Sequence, residues 1–208
     1  VVRAVAENVR AALAQRKVRL LRARAALSGP RTVELQGEDS GELSAEAIVL
    51  ATGTRWDPPA VPGLPAARVL TADQVLDLRA APASALVLSD GPGDTGFALE
   101  HAALLAAAGA AVTLVSARER LLPGLDAALT EAATVALTDL GVTVLIQAEV
   151  VCADGETVTL RRGGETQTAP AEVVVSVDGR RPFSEGLRLD RAGIVADGAI
   201  RVDRGCRT

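Results

Sequence analysis

The sequence predicts an α/β fold, a parallel sheet with helices on its faces plus a small antiparallel β-meander. Two patterns carry this. The strand-like runs ALVLS, AAVTLVS and VTVLIQ alternate with helical stretches at about 95–108 and 125–140, and strands alternating with helices at that spacing make βαβ units around a sheet covered on both faces. The later runs EVVCAD, ETVTLRR and TQTA read as a meander returning to a central strand in EVVVSV.

Taken in order, the opening VVRAVAENVRAALAQRK places Val1, Val5, Val9 and Leu13 about one turn apart with charges between them, which is an amphipathic helix running to about Arg16. Three β-rich runs follow, VRLLRARAAL, TVELQ and ELSAEAIVLAT, separated by the turn-forming SGPR and GEDSG. The stretch TRWDPPAVPGLP is dense in proline and is expected to hold no regular structure, so a domain crossing falls there. Thr71 can cap a short helix in TADQVLDL, and Gly141 can close the helix ending at Leu140. On that helix Leu129, Val135, Leu137 and Leu140 are expected to face the core, leaving Glu131 and Asp139 in solvent.

Composition narrows the function classes. With 22 Lys+Arg against 26 Asp+Glu the formal charge is −4, which excludes nucleic-acid binding by bulk charge. Trp56, Phe97 and Phe183 are the only aromatics and Met is absent, so the core must be built from Ala, Val and Leu. The longest apolar stretch, 102–115, is too short to span a bilayer, and no membrane segment or secretory signal is visible. Cys152 and Cys206 stand far apart without metal-type neighbours, consistent with reduced structural thiols and a cytoplasmic location. A chain that opens with Val1 and contains no Met is expected to be a piece of something longer.

The informative spot is the turn SDGPGDTGFALEHA. Gly91, Gly93 and Gly96 satisfy GxGxxG directly after a strand and at the opening of a helix, the setting of a Rossmann-like dinucleotide loop. There the missing side chains let backbone N–H groups approach a pyrophosphate, and the helix N-terminus adds partial positive charge. Plain turn chemistry competes with that reading, and Asp90 and Asp94 would repel a phosphate unless they point away. The next strand ends at Ser116 with Arg118 and Arg120 close behind and no carboxylate at the strand end, which favours a 2′-phosphate and so NADPH over NADH. Solvated loop charges are the competing account of the two arginines. His101 has no partner at catalytic spacing and reads as a packing or surface residue, and no catalytic triad or metal spacing can be assembled.

The ordered segments ELSAEAIVLATGTRWDPPAVPGLP, RVLTADQVLDL, the glycine-turn unit, RERLLPGLDAALTEAATVALTDLGVTVL, EVVVSVDGRRPFSEGLRLDRAGI and GAIRVDRGCRT resemble, nearly end to end, the middle of the class I pyridine nucleotide–disulfide oxidoreductases. The resemblance implies a partition: residues 1–66 as partial FAD-binding domain, 67–182 as NAD(P)H-binding Rossmann domain, and 183–208 as a partial return to the FAD domain. It implies that Thr52 and Gly53 run close to the flavin nucleotide, that Glu100 lies near the nicotinamide side of the pocket, and that Gly179 lines the cleft after the last strand. It further implies a parent that passes hydride from NAD(P)H to FAD and then to an acceptor, dimerising through a domain absent from this chain, which alone is expected to be inactive. Two departures stand out. The glycine turn carries about two extra residues, and Asp178 sits where the family usually runs from strand into Gly-Arg-x-Pro. They motivate an alternative, a degenerate nucleotide fold acting as a binding or interaction module without catalysis.

Overall fold

The computed structural model describes residues 2–57, 60–89, 96–177 and 179–208, arranged in two compact units, Val1–Gly53 with Pro182–Thr208 and Thr54–Arg181. The first unit opens with α1 (Val2–Gln15), which keeps Val5 and Val9 more than half exposed. Strands β1 (Ala23–Gly29), β2 (Thr32–Gly37) and β3 (Gly41–Ser44) form an antiparallel sheet in that order. The expected third strand is therefore shorter than the run ELSAEAIVLAT. Residues 45–53 join no ladder among the described residues, and Val49 is 87 % exposed. Apolar, β-branched residues form a strand only where a neighbouring strand supplies hydrogen-bond partners.

The second unit begins with β4 (Thr54–Trp56), inside the stretch expected to be irregular. The prolines begin only at position 58, so Thr54, Arg55 and Trp56 keep their N–H groups and pair in a two-stranded ribbon with residues 180–182. A further short strand, β5 (Val69–Thr71), leads into α2 (Ala72–Val75), where Thr71 and Gln74 form a reciprocal capping box. Then come β6 (Ser84–Leu88), α3 (Gly96–Ala107), β7 (Ala111–Ser116), α4 (Ala127–Asp139) and β8 (Thr143–Ile146). The meander follows as β9 (Ala148–Asp154), β10 (Thr157–Arg162) and β11 (Glu165–Pro170), and β12 (Val173–Ser176) returns to the main sheet. After β13 (Arg180–Pro182), the first unit resumes with the small hairpin β14 (Ala196–Asp197) and β15 (Ala199–Ile200).

The main sheet has the order β5-β12-β6-β7-β8, with every pairing parallel. Alternate residues of its strands feed two cores, as the pleat requires. Ala85, Val87, Val112, Leu114 and Val175 join α2 and α3 on one face, while Leu86, Leu88, Val115 and Val174 meet Ala153, Val158 and Leu160 of the meander on the other. Both faces are covered, which is why these strands read as continuous apolar runs. Among the described residues every buried hydrophobic side chain is Ala, Val or Leu, as the composition requires. Arg68 fastens the meander by donating to the carbonyls of Glu172 (2.8 Å), Gly155 and Ala171.

One expected face is wrong. On α4 and its C-cap, Leu129, Val135 and Leu140 are 58, 53 and 50 % exposed; of the four residues expected in the core only Leu137 is buried, and Thr130 joins it. The stripe Thr130, Ala133, Thr134, Leu137 has i, i+3, i+4, i+7 spacing. Small residues there let the helix approach the sheet, and the threonine hydroxyls are satisfied along the helix, Thr134 donating to Thr130 O (2.8 Å) and Thr130 to Asp126 O (3.2 Å). Glu131 and Asp139 are exposed, as the sequence predicts.

Candidate functional site

The strand order places β12 on one side of β6 and β7 on the other, so the chain leaves β6 in one direction and returns beside it in the other. At such a switch point the loops beyond the strand C-termini part, leaving a crevice. Here the strand ends carry hydroxyls: Thr71 ends β5, Ser176 ends β12, Ser89 follows β6 and Ser116 ends β7. Ser116 is fully buried and donates to Ser89 O (3.0 Å) while accepting from the Arg118 backbone N–H (3.3 Å). The Ser89 hydroxyl is buried and has no partner among the described residues.

Gly96 opens α3 at this crevice, whereas Gly91, Gly93, Asp90 and Asp94 lie outside the described residues, as does Asp178. The first backbone N–H groups of a helix have no acceptor within the helix itself, which is why helix starts at such a crevice attract anions. Arg118 is half-buried, and its carbonyl accepts from Gln147 N–H (2.9 Å). Arg120 is exposed and donates to Pro123 O (2.8 Å). The structure thus gathers Gly96, Ser116 and Arg118 at one end of the sheet. Thr52 and Gly53 belong to the first unit, where Thr52 donates to Phe183 O (2.5 Å) and Gly53 O accepts from Phe183 N–H (3.0 Å).

Gly179 follows β12 with φ +83°, and its carbonyl accepts from Asp57 N–H (3.1 Å). A Cβ there would stand 2.5 Å from Asp57 O, so the close crossing of two backbones requires glycine at this position.

A second feature escapes sequence reasoning. A pocket of about 330 Å³ opens between α2, α3 and the β4–β13 ribbon, lined by Trp56, Asp73, Phe97, Glu100, His101 and Arg180 with apolar neighbours. Trp56 meets Phe97 edge to face, with ring centroids 6.2 Å apart, and donates its indole N–H to Asp73 Oδ2 (2.9 Å). The Arg180 guanidinium lies 5.0 Å from the Trp56 ring centroid and 5.6 Å from that of Phe97, and it donates to Thr54 Oγ1 (2.9 Å). Glu100 is exposed at the rim, and His101 is buried behind it. Trp56 and Phe97 are two of three aromatics in the whole chain, and that scarcity was the signal that could have pointed here. Among the described residues no group of His, Cys, Asp and Glu could hold a metal ion.

A parallel sheet with a switch point and a helix opening at it is the architecture of the open α/β nucleotide-binding proteins. The sequence model of the pyridine nucleotide-disulphide oxidoreductases matches residues 1–208, and the chain belongs to that family. It is 34 % identical over 210 residues to a dihydrolipoyl dehydrogenase of Chlorobaculum parvum, covering 94 % of this chain and 43 % of that protein. A soluble pyridine nucleotide transhydrogenase of Mycobacterium bovis is 32 % identical over 201 residues, covering 93 % of this chain and 42 % of the relative. The chain therefore spans about two fifths of the length of these curated relatives. Among solved structures, the HOCl-induced flavoprotein disulfide reductase RclA from Escherichia coli superposes with TM-score 0.74 at 23 % identity, over 89 % of this chain and 42 % of that one. At that identity the likeness speaks for the fold alone.

Proposed function

We propose that this chain is the nicotinamide-dinucleotide-binding part of an FAD-dependent oxidoreductase, with residues 67–182 as the NAD(P)H domain and the flanking segments 1–66 and 183–208 as parts of an FAD domain. The observation that carries the reading is the switch point beyond β6, where α3 begins and the Ser89 hydroxyl is buried without a partner among the described residues. Those groups suit a pyrophosphate, and the residues present fit a dinucleotide. Gly91, Gly93 and Gly96 would let the backbone approach the phosphates, Ser116 would hold the turn, and Arg118 with Arg120 would take a 2′-phosphate. Glu100 and Gly179 would border the nicotinamide end, and Thr52 and Gly53 would run along the flavin nucleotide.

When bound, the reduced nicotinamide supplies a hydride, which in the whole protein would pass to FAD and onward to an acceptor. The chain's own residues bind and orient the donor. None of them is assigned a proton transfer, so we assign catalysis to the parent and no turnover to this chain. The whole protein is proposed to work as a homodimer.

Calorimetric titration with NADPH and NADH tests the reading. Binding is expected for both, tighter for NADPH, and Arg118→Ala with Arg120→Ala should cost NADPH about tenfold in affinity, close to 1.4 kcal/mol, while leaving NADH nearly unchanged. Purified chain should show no flavin absorbance band. The acidic residues Asp90 and Asp94 in the glycine turn favour the second reading, a nucleotide fold that has lost its ligand and serves as a binding or interaction module. No heat with either nucleotide would select it.

A further inference from the structure

His101 is the only histidine in the chain, is 7 % exposed, and has a carbonyl oxygen at each ring nitrogen: Phe97 O at 2.7 Å from Nδ1 and Ala72 O at 3.1 Å from Nε2. Carbonyls only accept. A neutral imidazole carries one N–H and can satisfy one of them, leaving the other nitrogen's lone pair against a carbonyl in a buried place, whereas the imidazolium donates to both. Phe97 lies one turn before His101 on α3 itself, so only the Nε2 contact to Ala72 O ties α3 to α2, the two helices that form the walls of the Trp56 pocket, and a neutral ring that keeps its proton on Nδ1, where the acceptor is nearer, loses that tie. We propose that His101 is a proton-operated tie between α2 and α3, closed when protonated and released when the neutral ring holds its proton on Nδ1, which sets the shape of that pocket and the spacing of Asp73 and Glu100 across it.

The surroundings leave His101 as the group that works the tie. Asp73 on α2, Glu100 on α3 and Arg180 on β13 line the same pocket, and Asp73 and Arg180 already have partners in the Trp56 indole and in Thr54 and the two rings. Strands β6 and β7, packed against α3, contain no charged residue, and Glu131 and Asp139 on α4 are exposed. The reporter is built in. Trp56, the only tryptophan, touches α2 through Asp73 and α3 through the Phe97 ring, so a change in the distance between the helices reaches its indole.

The test follows the 208-residue chain from about pH 5 to 8, the range in which histidine side chains change charge, with two readouts: the emission of Trp56 and the ring resonances of His101, each unambiguous because each residue occurs once. A single emission transition with the midpoint of the His101 resonance is expected, lost in His101→Gln and kept in Glu100→Gln. Emission that stays flat while His101 titrates overturns the proposal, and so does a transition that survives in His101→Gln or disappears in Glu100→Gln. Should His101→Gln fail to fold, imidazole nitrogen shifts in the unaltered chain decide, because a ring that never gains its second proton in this range cannot close the tie. The readouts need no nucleotide, so this proposal and the nucleotide-binding reading fail separately.

Discussion

Gly179 joins two demands that any other residue would break. Its φ of +83° lies in the region that L side chains enter at a cost, and an added Cβ would collide with the backbone oxygen of Asp57 at 2.5 Å. Gly179→Ala is expected to destabilise the chain by about 1–3 kcal/mol, read by urea denaturation with Trp56 as the probe, and to open the β4–β13 ribbon. A milder residue-level effect sits on β2. The hydrogen bond from Gln36, then the hydrogen bond and charge of Arg188, hold the Glu34 carboxyl below its ordinary value of 4.5. A folded value below the unfolded one means that the contribution is present above the unfolded value, hence at neutral pH, and is lost as pH falls through the folded value. The carboxylate is open to solvent, so the effect is small. Glu34→Gln should flatten the acid limb of the stability–pH curve below about pH 4.5 and leave the neutral region nearly unmoved.

Elements show how far hydropathy can be trusted. In β6 and β7 nearly every side chain is buried because both faces are covered, and the apolar runs in the sequence announce it. The capping box at Thr71 and Gln74 is equally local: two side chains three residues apart satisfy each other's backbone. By contrast, α4 turns a stripe of threonine and alanine ending in Leu137 inward, with Thr130 and Leu137 buried, and leaves Leu129, Val135 and its C-cap Leu140 outward. The side-chain list of α4 did not reveal its orientation, because closeness to the sheet, rather than hydrophobicity alone, selects the small face. Leu137→Ala should therefore cost about 2–4 kcal/mol through the cavity it leaves. Leu129→Ala, exposed in the same helix, should change stability by less than about 0.5 kcal/mol. Equal losses in thermal denaturation would show that the helix is turned the other way.

Across the whole molecule, burial is uneven. All but two of the buried hydrophobic residues belong to the unit 54–181, and the other unit buries only Leu27 and Leu187 among the described residues. Native-state hydrogen exchange is expected to find the slowest amides in β6, β7 and β12, and to find β1–β3 opening at lower free energy. Uniform protection across both units would contradict this. The apolar run at 48–50 joins no ladder among the described residues and lines, with β1, β2 and Phe183, a cleft of about 850 Å³ within the first unit.

Patterns that close within a few residues were legible in the chain itself: the βαβ alternation, the cap at Thr71, the turn at Gly141 and the Ala, Val and Leu core all rest on neighbours in sequence. The crevice was legible in half, since strand, turn and helix could be read around Gly96 while the strand order that parts the loops could not. Other features depend on partners far along the chain. Thr54–Trp56 becomes a strand because residues 180–182 come to pair with it, residues 45–53 form none for want of such a partner among the described residues, and Trp56, Asp73, Phe97, His101 and Arg180 share a pocket because two helices and a ribbon converge. A ladder hydrogen bond or a ring contact exists only once its second member has arrived, and no local pattern records where that member comes from.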